Sequence, residues 1–137
     1  MKNLLVAYDG SPGAHRAFLF GLELAQKFGI PLTILSVIRL FEPPEEVETR
    51  DALEEGKSHS EELFKALKAE ADEWRVEIHT KVAVGHPAEQ IVRWAELHQV
   101  DQIVMGHQTR STFGRWILGS TPDKVVQHAP CTVTIVK

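Results

Sequence analysis

The chain has 137 residues and a mass of 15.4 kDa, so we expect one domain over residues 1–137. Its composition, 43% hydrophobic and 25% charged with a single cysteine, Cys131, excludes a disordered tail, a fibre and a disulfide scaffold. The net charge of −4 argues against a nucleic-acid partner, and no apolar run reaches the about 20 residues of a membrane span. Because no signal-peptide pattern precedes Asp9, we expect a cytoplasmic protein that binds no membrane.

The first half of the chain alternates short apolar runs with segments of helical period. Residues 4–7 predict a strand, and Ser11 followed by proline predicts a helix start, with Gly29 as its C-terminal cap. Residues 31–38 predict the second strand. The segment 41–49 contains two prolines and several glutamates, which predicts a solvated loop. Residues 51–74 then predict a long amphipathic helix with an acidic outer face; its inward side chains are Leu63, Phe64, Leu67, Ala71 and Trp74.

The second half continues the alternation. Alternating apolar residues predict a third strand at 75–84, and Pro87 begins a helix whose apolar stripe extends to Ala95. The remaining predicted elements are a strand at 102–105, a long loop at 106–119, a helix at 120–128 and a strand at 131–136. This order predicts an α/β fold, a single three-layer domain with a five-stranded parallel sheet flanked by four helices.

Ligands of such folds lie outside the carboxyl ends of the strands, where the strand order reverses. The sequence therefore directs attention to Asp9, after the first strand, and to the residues from Gly106 onward, after the fourth. A P-loop and a G-x-G-x-x-G fingerprint are both absent. The seven histidines show no metal-ligand spacing and Cys131 lacks a partner base, so we predict neither a metal site nor a nucleophile.

One stretch combines features that suit a phosphate group. Residues 105–109 (Met-Gly-His-Gln-Thr) are followed, after nine intervening residues, by Gly119, Ser120 and Thr121. Glycines allow close backbone approach, and free N–H groups at a helix start favour anions. Acidic residues are absent from positions 102–122, and Arg110 or Arg115 could supply charge. The alternative is that the glycines only end a strand and shape a loop, with Ser120 as a cap; spacing leaves both interpretations open.

Three segments carry a resemblance to a known family: residues 5–11 (LVAYDGS), 84–88 (VGHPA) and 106–136, which includes LGSTPDKVVQHAPCTV. Over its whole length the chain resembles the universal stress protein (UspA) family of ATP-binding type, which is similar to the Rossmann-like and adenine nucleotide alpha hydrolase-like folds. ATP-binding members show G-x2-G-x9-G-[ST] here. Gly106, Gly119 and Ser120 match that pattern, whereas Thr109 replaces its second glycine.

The resemblance implies an adenine nucleotide, ATP or AMP, with or without Mg²⁺. It places base and ribose near Ala7, Asp9, Val37 and Ile38, and Asp9 has the oxygens to bind ribose or help place Mg²⁺. Ribose and phosphates would lie near Met105, Gly106, His107, Thr109, Gly119, Ser120 and Thr121, with Arg110 as a nearby cation. It also implies a homodimer through the last strand, residues 131–137, which would otherwise leave an unprotected sheet edge.

The predicted function is that of an ATP-binding stress-response protein acting as a nucleotide-dependent homodimeric module. Because the sequence offers no activated nucleophile with a base, we assign no catalytic residues and expect at most slow ATP hydrolysis. One alternative is a nucleotide-free interaction or signalling dimer in which Thr109 has closed the phosphate site. An adenylate-handling enzyme would need a second pocket and a catalytic Lys or Arg pair, which the sequence does not indicate.

Overall fold

The computed structural model describes residues 1–39, 46–107 and 120–137 of the chain. Strands and helices alternate through these ranges in the predicted order. They are β1 (Leu4–Ala7), α1 (Pro12–Phe28), β2 (Leu32–Ile38), α2 (Glu46–Glu73), β3 (Ile78–Val84), α3 (Pro87–Leu97), β4 (Gln102–Gly106), α4 (Ser120–His128) and β5 (Thr132–Val136).

The strands of the described ranges form one parallel sheet of five, in the order β3-β2-β1-β4-β5. β1 lies at its centre, and Leu4 pairs in register with Leu32 of β2 and with Gln102 of β4. The chain first builds the sheet outward from β1 through β2 to β3 and then crosses to β4 on the other side. The carboxyl ends of β1 and β4 therefore form the topological switch point, and the predicted fold class is confirmed.

Helices cover both faces of this sheet. On one face α1 and α2 bury a cluster around Phe18, with Val6 and Ile34 from the strands. On the other face α3 and α4 cover a second cluster that includes Leu5, Leu35 and Ile103. Each fully buried apolar side chain of this size contributes about 1.5–3 kcal/mol, so the two clusters hold the three layers together. Across the described ranges, every helix is too short or too polar to cross a bilayer.

The ends of α1 agree with the sequence signals. Ser11 is the N-cap, and its Oγ accepts a hydrogen bond from the Ala14 amide at 3.1 Å. Gly29 ends the helix with φ 65°, a left-handed conformation that favours glycine, and its N–H bonds back to carbonyls of the last turn. Both caps depend on neighbouring residues only, which is why the sequence predicts them well.

Two predicted boundaries were wrong. α2 begins at Glu46 rather than at residue 51, so residues 46–49 of the predicted loop are helical, and residues 40–45 lie outside the described ranges. β3 begins at Ile78 rather than at residue 75, because Arg75 adopts φ 57° directly after α2. The Val76 amide then bonds to the Ala71 carbonyl at 3.1 Å, a C-terminal helix closure that uses residues expected in the strand.

Candidate functional site

A tight turn follows β1 at the switch point. The Tyr8 amide donates to the Leu35 carbonyl at 2.9 Å, which continues the pairing with β2 to the last residue before the turn. Asp9 Oδ1 then accepts a hydrogen bond from the Ser11 amide at 2.9 Å, and Gly10 takes φ 83°. The turn at residues 9–11 therefore presents an exposed carboxylate immediately before the N-terminus of α1.

The end of β4 lies directly against this start of α1. A Cβ added to Gly106 would overlap the carbonyl group of Gly13 and would lie 2.7 Å from the Ala14 nitrogen. A Cβ added to Gly13 would lie 3.1 Å from the carbonyl oxygen of His107. Strand and helix thus meet backbone to backbone, and the missing side chains at both glycines are accounted for by packing. This observation favours, at Gly106, a structural role for the motif glycine.

The backbone at the end of β4 is also paired with the sheet edge. The His107 amide donates to the Val136 carbonyl at 2.8 Å, and Gly106 stands opposite Val136 in the β4–β5 register. The His107 N–H is therefore already used within the sheet, and the part of His107 left for a ligand is its half-buried side chain. Met105, one residue earlier, is buried in the cluster under α3 and α4.

The residues predicted to line the base lie at the ends of neighbouring strands. Ala7 ends β1, opposite Leu35, and Val37 and Ile38 end β2; Ala7, Val37 and Ile38 are partly buried. The Ile38 carbonyl accepts a hydrogen bond from the Gly85 amide at 3.0 Å, and the Ile38 side chain packs against α2 at Gly56. Ala7, Val37 and Met105 contact the same cluster, on the α3 and α4 face of the sheet.

The predicted phosphate residues are only partly described. Thr109, Arg110 and Gly119 lie outside the described residues, as does Arg115. Ser120 is the first residue of α4, and Thr121 is partly buried at its first turn. Thr121 lines a groove of about 700 Å³ between α3 and α4. Arg39, the residue directly after β2, also lines it.

A buried phenol and a histidine–carboxylate contact lie close to the turn. Burial, then the nearby carboxylates of Glu70 and Asp9, raise the pKa of Tyr8 above its usual value. The Tyr8 ring packs edge-on to Phe18 with 6.3 Å between centroids, and His15 Nε2 lies 3.1 Å from Glu70 Oε1. The ring contact joins the residue after β1 to α1, and the His15–Glu70 contact joins α1 to α2.

Sequence reasoning overlooked one cation at this site. The Arg16 Nη2 lies 3.6 Å from the position that a Cβ on Gly13 would occupy, beside the first turn of α1. Its position one turn after the Pro12 helix start is the signal that could have found it. Over the described stretches, three or more His, Cys, Asp or Glu side chains nowhere gather as they would around a metal ion.

Comparison with known proteins gives consistent matches over the full chain. The model of the "Universal stress protein family" matches residues 1–137. A universal stress protein of Methanocaldococcus jannaschii is 32% identical over 140 residues, which cover 99% of this chain and 82% of that protein.

Solved structures share the fold. UspA from Lactobacillus plantarum superimposes with a TM-score of 0.88 at 26% identity, covering 99% of this chain and 97% of that one. A universal stress protein solved in complex with cAMP gives a TM-score of 0.79 at 23% identity, again covering 99% and 97%.

Proposed function

Because the chain belongs to the universal stress protein family, we propose that it is an ATP-binding stress-response module that works as a nucleotide-dependent homodimer. The observation that carries this proposal is the contact between the first turn of α1, which directly follows the turn at residues 9–11, and the end of β4 at the switch point, where folds of this topology bind ligands. A structural neighbour solved with cAMP supports an adenine nucleotide as the ligand class. Residues 1–137 would form a single nucleotide-binding domain.

Asp9, Arg16 and the first turn of α4 have chemical roles in this proposal. The exposed Asp9 carboxylate would accept hydrogen bonds from ribose hydroxyls, or help to hold Mg²⁺ that arrives with the phosphates. Arg16, beside the start of α1, would offset phosphate charge. The first turn of α4, at Ser120 and Thr121, would contribute backbone N–H groups, because helix N-termini favour anions.

The first test asks whether the protein carries or takes up nucleotide. Purified protein is denatured, and the supernatant is analysed by mass spectrometry for adenine nucleotides. Titration calorimetry with ATP and Mg²⁺ should then give a dissociation constant in the micromolar range, which corresponds to a binding free energy of about −8 kcal/mol. No heat and no rise in melting temperature at millimolar ATP would overturn the proposal, since a ligand that binds only the folded state must stabilise it.

A matched pair of variants tests the role of Asp9. Asp9→Asn keeps an oxygen that can accept the Ser11 amide and removes only the negative charge, so the turn should persist. We expect about tenfold weaker ATP binding in the presence of Mg²⁺, which corresponds to about 1.4 kcal/mol. Asp72→Asn makes the same change at an exposed position near the end of α2 and should leave the affinity unchanged.

One observation favours the second candidate, a nucleotide-free interaction dimer of the same fold. Packing against α1 already accounts for the glycine at position 106, and Thr109 stands where the ATP-binding pattern has glycine. Thr109→Gly separates the candidates. If ATP binds the natural protein, the substitution should change its affinity by no more than about tenfold. If threonine has closed the site, only the variant binds, and undetectable binding in both proteins leaves the interaction dimer alone.

The proposed dimer interface is the outer edge of β5. Within the described ranges β5 is hydrogen-bonded to β4 on one side and ends the sheet on the other. An open strand edge of this kind is a surface for pairing with another strand, and a two-fold axis would let both copies use it at once. Sedimentation velocity with and without ATP and Mg²⁺ should show a dimer that strengthens with nucleotide; a monomer under both conditions would refute it.

A further inference from the structure

A groove with charged and apolar lining lies between α3 and α4, on the face of the sheet opposite α1. It encloses about 700 Å³, within the range of about 300–1,000 Å³ that small-molecule sites occupy. Its cationic lining comes from three different parts of the chain. Arg39 is the residue directly after β2, Arg93 lies on α3 and Lys124 lies on α4. Cations from separate elements that face one space are a feature that helix packing alone does not require.

Within the described ranges, the three cations have no close ion-pair partners. Among the described residues, none of the three makes an ion pair with a carboxylate within 4.0 Å. Two carboxylates, Glu89 and Glu96, also line the groove, so its three Lys and Arg side chains give it a formal excess of one positive charge. This positive groove belongs to a chain whose overall net charge is −4. A local excess of positive charge in a cleft raises the concentration of anions there.

The groove also has an apolar wall and two further polar groups. Ala88 and Val92 line it and at the same time pack on the core cluster beneath α3. His86 and His128 lie at its edges and would add positive charge when protonated. A matching ligand therefore carries negative charge where it meets the three cations and an apolar or planar part against Ala88 and Val92.

We propose that this groove is a second ligand site, which binds a small molecule bearing two or more phosphate groups. Guanidinium and ammonium groups are the side chains that bind phosphate oxygens most strongly, and cations on three elements can contact more than one phosphate. Thr121 lines the groove and is the second residue of α4, whose first turn is part of the proposed nucleotide site, so the two sites would adjoin each other. None of the three cations is among the residues assigned to the nucleotide.

Pyrophosphate is the probe for this proposal, because it carries the phosphate chemistry without a nucleoside. Titration calorimetry at about 0.15 M salt should detect binding to the full chain, since that ionic strength screens purely long-range attraction. The double variant Arg93→Gln with Lys124→Gln should weaken binding at least tenfold. Both positions are exposed, so the variant should keep its melting temperature. Lys68→Gln, an exposed cation on α2, is the matched control and should bind as the natural protein does.

ATP titrations of the same variants separate this site from the nucleotide site. We expect the double variant to retain ATP binding and to lose pyrophosphate binding. In NMR titrations of the natural protein with pyrophosphate, the amide chemical-shift changes should map to α3 and α4. Equal loss of both ligands would make the groove part of the nucleotide site and overturn the proposal. So would the absence of pyrophosphate binding at millimolar concentration, or equal weakening by Lys68→Gln. Pyrophosphate binding without ATP binding would uphold the groove and refute only the proposed function.

Discussion

The backbone contact between β4 and α1 makes Gly106→Ala the most informative single substitution for the fold. The added Cβ would overlap the Gly13 carbonyl group and lie 2.7 Å from the Ala14 nitrogen, where an ordinary contact needs about 3.5 Å. Both neighbours are backbone atoms, so no side chain can rotate away, and α1 as a whole must move outward. Because Phe18 on α1 is fully buried in the core, that movement also loosens core packing. We expect destabilisation at the upper end of overpacking costs, about 3 kcal/mol.

Urea unfolding followed by circular dichroism measures this effect. The dependence of the unfolding free energy on urea concentration should stay the same, while the urea midpoint falls. A destabilisation of this size also lowers the melting temperature by about 10 °C. Gly29→Ala is the control, since Gly29 has φ 65° and no atom within 4 Å of its Cβ position. Gly29→Ala should lower the free energy of unfolding by about 1–2 kcal/mol, because alanine there must adopt the left-handed conformation. If Gly106→Ala is no more destabilising than Gly29→Ala, the close approach of strand and helix is refuted.

Three further predictions concern the rest of the described chain. Ser11→Ala removes the N-cap of α1 and should lower the free energy of unfolding by about 1 kcal/mol in urea titrations. Hydrogen bonds from the Lys2 and Asn3 amides lower the pKa of Asp101. The stability that the Asp101 carboxylate contributes is therefore complete above the ordinary carboxyl pKa, and it disappears as the pH falls through the lowered pKa. Urea titrations should therefore show Asp101→Ala less stable than the natural protein at pH 7 and equally stable in strong acid; a constant difference would contradict this. Burial raises the pKa of Cys131, so alkylation at pH 8 should be slow in the folded protein and fast in urea.

Local signals explain why most of the fold could be predicted from the sequence. Ser11 and Gly29 define α1 through hydrogen bonds within a few residues, and apolar stripes place the helices on the sheet. The start of β3 was mispredicted because Arg75 takes a left-handed conformation that its residue type does not favour. The closing hydrogen bond from Val76 to Ala71 reaches back into α2, so alternation in residues 75–84 alone could not reveal it.

The candidate site was predictable in position but not in detail. The order of strands and helices is enough to bring Asp9 and Gly106 to one switch point, since parallel strands end at the same edge. Two details could not be predicted: the hydrogen bond from the His107 amide to the Val136 carbonyl, and the position of the Arg16 guanidinium beside Gly13. Both depend on tertiary distances, which the spacing of residues in the sequence does not encode.

A motif glycine can serve packing or a ligand, and the two roles look alike in a sequence. At Gly106 the first turn of α1 already occupies the space a side chain would need, so lost binding in a Gly106 variant would report a displaced helix. Asp9→Asn avoids this ambiguity because its amide oxygen can keep the hydrogen bond to Ser11 while the charge disappears. A change in nucleotide affinity without a change in unfolding free energy, measured on that variant, is therefore the result that assigns the site to a ligand.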